Sequence, residues 1–194
     1  CEGLVGSEMC IRDRCLFHGF PYLYLFSMTK ILILGANGSL GRQFVTTLNE
    51  KKFELIKFTR KNFNLNGKLE EIEHILKNKQ VSFVINCIGL TGLIYCETKK
   101  RLANRVNGLF PIKLARLTSR YKTNLIHFST EAVFSGRKIG KLYKETDIPR
   151  PSTVYGKTKA LADKKILKFN NVLIIRLPLL LSLIHISEPT RPSQ

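Results

Sequence analysis

The part of the sequence that most constrains the fold is a run of β-forming residues that leads into a glycine-rich turn and an amphipathic stretch. Residues 30–34, Lys-Ile-Leu-Ile-Leu, run directly into Gly35, and Gly38 and Gly41 follow. Gly35 permits a tight turn, Gly38 lets backbone N–H groups approach a phosphate, and Gly41 allows close helix–strand packing. The helix start adds unpaired N–H donors and a positive dipole end. This order predicts a nucleotide-binding βαβ unit, although a plain turn in an α/β protein can use the same glycines.

Strand-like and helix-like segments alternate along the rest of the chain. Strands are expected at 54–58, 81–86, 124–129 and 172–176, with a short extended piece at 62–65, and helices at 39–48, 69–76, 99–121 and 152–167. Pro111 is expected to strain the third helix, because proline has no backbone N–H to donate. The alternation predicts an α/β fold of the Rossmann type, a doubly wound parallel sheet with right-handed crossovers.

Composition narrows the class of protein. The chain has 194 residues, a formal net charge of +18 and 5 cysteines without metal-type spacing. No apolar run is long enough to cross a bilayer, which argues against a membrane protein. The scattered cysteines favour a cytoplasmic protein with reduced thiols. The lysines are dispersed and accompany no nucleic-acid-binding motif, so we expect a solvated basic surface and no nucleic-acid partner.

The two ends of the chain have an unusual coding signature. Residues 181–191 are encoded, residue for residue, by a transposase-type sequencing adapter, and residues 4–13 are encoded by its complementary strand. We therefore expect residues 1–27 and 181–194 to be non-native translation, and 28–180 to be a partial NAD(P)-binding Rossmann domain. The 194-residue chain alone is expected to bind a dinucleotide weakly and to be inactive.

Tyr155 and Lys159 lie four residues apart in a predicted helix, and so share one face. A tyrosine phenol titrates near ~10, and a nearby ammonium favours its ionised form. Such a pair can pass a proton to a developing alkoxide. Taken alone, the spacing favours a surface Tyr–Lys pair, and only the context of the neighbouring strand ends changes that interpretation.

Two predicted strands end in groups that suit a site at the carboxyl edge of the sheet. Ser129 and Thr130 end one strand, where a hydroxyl could bind a substrate carbonyl or merely cap a turn. Residues 86–89, Asn-Cys-Ile-Gly, end another and offer small or apolar groups. Parallel strands present their carboxyl ends to one crevice, so these residues should meet the glycine turn.

Together these motifs resemble the extended short-chain dehydrogenase/reductases, and among them the dTDP-4-dehydrorhamnose reductases and their sugar-nucleotide-binding relatives. The motifs that carry the resemblance are the glycine turn at 35–41, the segment 86–89, Val-Asn at 106–107, Ser-Thr-Glu-Ala-Val-Phe at 129–134 and Val-Tyr-Gly-Lys-Thr-Lys at 154–159. They occur in family order between residue 28 and about residue 178. Ala132 departs from the pattern, because these reductases usually have an aromatic residue there.

The resemblance implies a catalytic triad of Thr130, Tyr155 and Lys159, with Tyr155 as the acid and Lys159 holding the cofactor ribose and lowering the tyrosine pKa. It implies no metal. Asn107 would either support the site from its helix or simply pack there. Besides Tyr155 and Lys159, the implied cofactor-binding residues are Gly35, Asn37, Gly38, Ser39, Leu40, Gly41, Cys87, Ile88 and Gly89.

The end of the second strand bears on the choice of cofactor. An acidic residue there would bind the ribose 2′-OH of NAD, whereas arginine suits a 2′-phosphate. Arg60 and Lys61 offer two cations and no acid, so NADP(H) is favoured over NAD(H).

The resemblance thus implies an NADPH-dependent reductase of a nucleotide-linked 4-keto-6-deoxy sugar, acting in the synthesis of cell-surface polysaccharide precursors. A sugar-nucleotide epimerase or dehydratase of the same superfamily is one alternative, and a non-catalytic regulatory subunit of the same fold is another. The full-length protein could form a homodimer. The C-terminal substrate lobe of the family is expected to be missing from the 194-residue chain.

Overall fold

A mostly parallel β-sheet forms the centre of the structure. The computed structural model describes residues 11–12, 28–59, 69–136 and 143–178. The strands in these ranges are β1 (Ile11–Arg12), β2 (Thr29–Leu34), β3 (Phe53–Phe58), β4 (Phe83–Asn86), β5 (Asn124–Thr130) and β6 (Val172–Leu177). Their order in the sheet is β1-β6-β5-β4-β2-β3, and every pair is parallel except β1 with β6. The predicted doubly wound parallel sheet is confirmed, and the extended piece predicted at 62–65 lies outside the described residues.

The strand order reverses at β2. The chain passes from β2 to β3 on one side and later returns to place β4 on the other side. In open α/β sheets a ligand-binding crevice lies beyond the carboxyl ends of the strands at such a reversal. The glycine turn follows β2 and the segment 87–92 follows β4, so both lie at this crevice.

Helices cover both faces of the sheet. They are α1 (Ser39–Thr47), α2 (Glu70–Lys79), α3 (Leu93–Thr98), α4 (Lys100–Ala103), a π-helical segment (Asn104–Leu109), α5 (Phe110–Arg120), a 3₁₀ turn (Glu131–Val133) and α6 (Val154–Ile166). Leu34, Leu125 and Ile174 pack towards α2, α5 and α6, while Ile33 and Phe128 pack towards α1. The buried strands read as nearly continuous apolar runs because both faces of a parallel sheet are covered.

The helix predicted at 99–121 is interrupted just before the proline, which lies in the first turn of α5. Pro111 cannot donate a hydrogen bond to the carbonyl of Asn107, four residues earlier. The hydrogen-bond ladder widens over Asn104–Leu109, where the Phe110 N–H donates to the Arg105 carbonyl. Sequence periodicity predicted the helix but not this change of pitch, and Val106 and Asn107 are buried within the π-helical segment. The short helix α3 was not predicted either.

No helix in the described parts of the chain combines the length and apolar character that a membrane span requires.

Candidate active site

The glycine turn after β2 holds the start of α1 tightly against the sheet. Gly35 has a φ of 79°, in the left-handed region that favours glycine, and its N–H donates to the Phe58 carbonyl at 2.9 Å. A Cβ on Gly41 would collide with the Gly35 carbonyl and lie 2.9 Å from the Ala36 Cα. The absence of side chains at these positions lets the N-terminus of α1 approach the end of β2 closely.

The N-terminus of α1 opens towards a cleft. Gly38 is the N-cap residue, and it is exposed together with Asn37 and Ser39. The first N–H groups of a helix have no partner within the helix and favour an anion. Gly38, Ser39 and Leu40 line the cleft, whereas Asn37 belongs to the turn beside it.

The segment after β4 forms a second wall and is fixed by two buried amides. Asn86 Oδ1 accepts a hydrogen bond from the Ile88 N–H at 3.1 Å. Asn107, fully buried in the π-helical segment, accepts from the Leu90 N–H at 2.8 Å and donates to the Leu90 carbonyl at 2.9 Å. Asn107 therefore supports the backbone of this wall, one of the two roles that the sequence left open for it.

Lys159 reaches the cleft from α6. Its Nζ donates to the Phe128 carbonyl at 2.7 Å, and the side chain is only 4% exposed. A Cβ built on Gly89 would lie 3.6 Å from that Nζ, so the small residue leaves room beside the ammonium. Burial lowers the pKa of Lys159 to about 8, while the charges of Asp163 and Cys87 oppose the shift. The same burial raises the pKa of the Cys87 thiol to about 12.

Tyr155 and Thr130 meet where α6 begins and β5 ends. Thr130 Oγ1 accepts from the Ala132 N–H at 3.2 Å, so it caps the 3₁₀ turn. Burial raises the pKa of Tyr155, and a hydrogen bond with Thr130 partly offsets that rise. Lys159 is not among the groups that shift this pKa, which differs from the effect that the resemblance implied.

Ser129 and Thr130 have different surroundings although they are neighbours in sequence. Ser129 Oγ donates to Asp163 Oδ2 at 2.9 Å, inside the layer between β5 and α6. Thr130 instead bonds to Ala132 and Tyr155 at the strand end. Of the two hydroxyls, that of Thr130 is the one beside Tyr155.

These walls enclose a cleft of about 640 Å³, within the usual size range of a small-molecule site. Its lining residues are Gly38, Ser39, Leu40, Gln43, Asn86, Cys87, Ile88, Gly89, Thr91, Phe128, Ser129, Thr130, Tyr155, Lys159, Leu177 and Pro178. Gly35 and Gly41 shape the turn behind the lining, and Arg60 lies outside the described residues.

Sequence reasoning missed part of the lining and of the layer beneath it. Gln43 lies one helical turn after Ser39, so the i, i+4 spacing on α1 could have identified it. Asp163 follows Lys159 at the same spacing. His127 and Arg176 lie inside predicted strands and gave no local signal. The buried imidazole contacts Asn86 Nδ2 through Nδ1 at 3.1 Å, and burial lowers the pKa of His127.

Two other features of the described ranges do not add to this site. A second cavity, of about 510 Å³, is formed by residues 97–102 and 105, around the junction of α3 and α4, and shares no lining residue with the cleft. Among residues 28–59, 69–136 and 143–178, no group of His, Cys, Asp and Glu side chains is arranged to hold a metal ion.

The strand order and the glycine turn define a Rossmann-type dinucleotide-binding fold. The RmlD substrate binding domain matches residues 28–185, and the chain belongs to that family. This confirms the resemblance predicted from the motifs.

Curated relatives agree with the family assignment. The chain is 32% identical over 139 residues to the spore coat polysaccharide biosynthesis protein SpsK of Bacillus subtilis, covering 72% of this chain and 48% of SpsK. It is 32% identical over 149 residues to dTDP-4-dehydrorhamnose reductase of Aggregatibacter actinomycetemcomitans, covering 76% of this chain and 50% of that protein. The chain therefore spans about half the length of these relatives.

The fold has a close structural counterpart. The crystal structure of dTDP-4-dehydrorhamnose reductase from Bacillus anthracis in complex with NADP superposes with a TM-score of 0.74 at 23% sequence identity. The match covers 79% of this chain and 54% of that chain. At this identity the likeness is one of fold.

Proposed function

We propose that the full-length protein is an NADPH-dependent reductase of a nucleotide-linked 4-keto-6-deoxy sugar, acting in the synthesis of polysaccharide precursors. The observation that carries the proposal is that Thr130, Tyr155 and Lys159 line the same cleft as the N-terminus of α1. The cleft thus contains an anion-binding turn and three further groups. These are a hydroxyl that can polarise a carbonyl (Thr130), a proton donor (Tyr155) and a buried cation (Lys159). The names of the two curated relatives support the substrate class.

The residues fit a dinucleotide. The helix start at Gly38 offers N–H groups to a pyrophosphate, and Gly41 keeps α1 close enough to β2 for that approach. Lys159 Nζ, which lies beside Gly89, would hold the ribose hydroxyls. NADP(H) is the favoured cofactor, on the basis of Arg60 in the sequence and of the NADP bound by the Bacillus anthracis relative. The bound cofactor would supply the hydride for the sugar carbonyl carbon.

The protein would handle the proton. As the carbonyl π bond breaks, negative charge develops on the sugar oxygen, and the Tyr155 hydroxyl donates its proton to that oxygen. Thr130 lines the cleft together with Tyr155 and can bind the same oxygen. The raised pKa of Tyr155 keeps the phenol protonated at neutral pH, as a proton donor requires. The lowered pKa of Lys159, about 8, still leaves the amine mostly charged at that pH.

The test is to measure NADPH oxidation and product formation with a dTDP-4-keto-6-deoxy sugar, using the full-length protein and its Tyr155→Phe variant. The parent is expected to consume one NADPH per sugar reduced. The variant should bind NADPH normally but lose about 10²–10⁴-fold in turnover, because it keeps the ring and loses the transferable proton. Tyr95→Phe is the matched control, since Tyr95 is exposed on α3 and is expected to leave turnover unchanged.

Other results would exclude the proposal. Conversion of the sugar without net NADPH oxidation would indicate an epimerase or dehydratase. NADPH binding with no turnover of any sugar nucleotide would indicate a regulatory subunit. Normal reduction by the Phe variant would remove Tyr155 from its role as the acid.

A further inference from the structure

A third residue of α6 shares the face that carries Tyr155 and Lys159. Asp163 lies one helical turn beyond Lys159, and its side chain is only 1% exposed. A buried carboxylate without partners is costly, so its contacts indicate how it is retained. Neither the proposed proton transfer nor the dinucleotide fit uses this residue.

Asp163 is held by two donors from two strands. Ser129 Oγ on β5 donates to Oδ2 at 2.9 Å, and Arg176 Nε on β6 donates to the same oxygen at 3.2 Å. All three side chains are at least nine-tenths buried. The other carboxylate oxygen, Oδ1, is also buried and accepts no hydrogen bond in the described part of the chain. The carboxylate is thus anchored in the layer directly beneath the cleft.

The Asp163 carboxylate is the anion that balances the buried cations of this layer. Lys159 and Arg176 are both buried cations, and Asp163 interacts with each of them. Burial favours the neutral amine of Lys159, while Asp163 favours its charged form. The other titratable groups that face Lys159 are Cys87 and His127, and burial favours the neutral form of both. Asp163 is therefore the counter-charge that Lys159 has within the described residues.

We propose that Asp163 is a positioning residue for the reaction, anchored by Ser129 and Arg176 so that the Lys159 ammonium stays charged and directed to the cleft. This inference rests on the proposed function for the role of Lys159 in turnover. The charge relationship between Asp163 and Lys159 can be tested separately.

The experiment compares the full-length protein with its Asp163→Asn variant in two measurements. The first follows the Lys159 side chain by NMR across pH, with the resonance assigned from a Lys159→Arg variant. The second is the pH dependence of kcat/KM for NADPH-dependent reduction. Replacing the carboxylate with a neutral amide should lower the Lys159 titration midpoint by about one unit or more, and should move the alkaline limb of the activity to lower pH by the same amount. At a pH above the alkaline limb of both proteins, kcat/KM of Asp163→Asn should be about tenfold lower than that of the parent.

Asp147→Asn is the matched control, because that aspartate lies in the loop before α6 and accepts from the Lys144 N–H. It should leave both midpoints unchanged. In a Lys159→Arg background, Asp163→Asn should no longer move the alkaline limb, since arginine stays charged throughout.

Removing one partner of a buried ion pair can unfold a protein, whereas replacing both partners is often tolerated. If Asp163→Asn does not fold, the double variant Asp163→Asn with Arg176→Met carries the test, and the Lys159 midpoint should again fall. An unchanged Lys159 midpoint in the folded variant would overturn the inference. A shifted midpoint in a protein that reduces no keto sugar would instead uphold the charge relationship and reject the proposed function.

Discussion

Asn107 holds Leu90 by both backbone groups, accepting from its N–H at 2.8 Å and donating to its carbonyl at 2.9 Å. The Asn107 side-chain amide thereby makes the two hydrogen bonds to the Leu90 backbone that a neighbouring strand would make in a sheet. This amide belongs to the π-helical segment, so the irregular part of the helix supports a wall of the cleft. Such π segments occur often at functional sites.

The first prediction concerns this contact. Asn107→Ala leaves the Leu90 N–H and carbonyl without their partners, so we expect the free energy of unfolding to fall by about 2–4 kcal/mol. Affinity for NADPH should fall as well, because the segment 87–92 loses its anchor. Chemical denaturation and fluorescence titration measure the two effects. Asn78→Ala, on the exposed end of α2, is the control and should change neither. Unchanged NADPH affinity in a destabilised variant would show that Asn107 only packs.

The second prediction compares two glycines, one required because a side chain would collide with the backbone (Gly41) and one because of its positive φ (Gly136). Gly41→Ala places a Cβ against the backbone of Gly35 and Ala36, so it should cost about 1–3 kcal/mol of stability and also weaken NADPH binding. Gly136→Ala is the counterpart, because Gly136 has a φ of 71° but no atom of the described residues lies within 4 Å of the added Cβ. It should cost about 1–2 kcal/mol and leave NADPH binding intact. Equal effects of the two substitutions on NADPH binding would contradict the fit of the glycine turn to a dinucleotide.

The third prediction addresses the choice of cofactor. Arg60→Asp exchanges an attraction to the 2′-phosphate for a repulsion, so the ratio of NADPH to NADH affinity should fall about tenfold or more. Isothermal titration with both cofactors gives the ratio. Arg116→Asp, on the exposed face of α5, makes the same charge change and should leave the ratio unchanged. If both variants leave it unchanged, Arg60 does not contact the 2′-phosphate.

The fourth prediction follows from the lowered pKa of Lys159. The folded protein releases this proton near pH 8, whereas the unfolded chain holds it until about pH 10.4. Between these values the unfolded state binds more protons, so stability rises with pH. Below pH 8 the cost of the buried charge is fully present. Relative to Lys159→Met, the parent should therefore gain up to about 3 kcal/mol across this window.

Denaturation of both proteins at several pH values tests this prediction, and the comparison removes the opposing contribution of Cys87, whose pKa is raised. A difference between the two proteins that does not change with pH would show that Lys159 has its ordinary pKa. Activity should move in the opposite direction to stability if Lys159 binds the ribose as proposed, because the charged amine is the form that would bind it.

The sequence predicted the sheet because its strands and turns have local causes. The β-branched and leucine-rich run 30–34 and the glycines after it specify β2, the turn and α1 without help from distant residues. Tyr155, Lys159 and Thr130 were also predicted to lie together, since parallel strands bring their carboxyl ends to one edge. The cluster of Asp163, Ser129 and Arg176 was not predicted, because it joins residues from three elements and depends on strand register. Pro111 predicted a strained helix, but the extent of the π-helical segment, Asn104–Leu109, could not be predicted from periodicity.

The contact between β5 and α6 has a mechanical consequence. Phe128 and Ser129 are successive residues of β5, and they bond to Lys159 and Asp163 on one face of α6, while Thr130, the next residue, lines the cleft together with Tyr155. Tyr155 and Lys159 thus lie on one helix that two side-chain hydrogen bonds hold against β5, so a displacement of α6 would move both residues together. A ligand that enters the cleft would meet on this side a wall held by buried hydrogen bonds, and on the opposite side the segment 87–92, whose backbone is held by the buried amides of Asn86 and Asn107. Neither wall could move without the loss of such a bond.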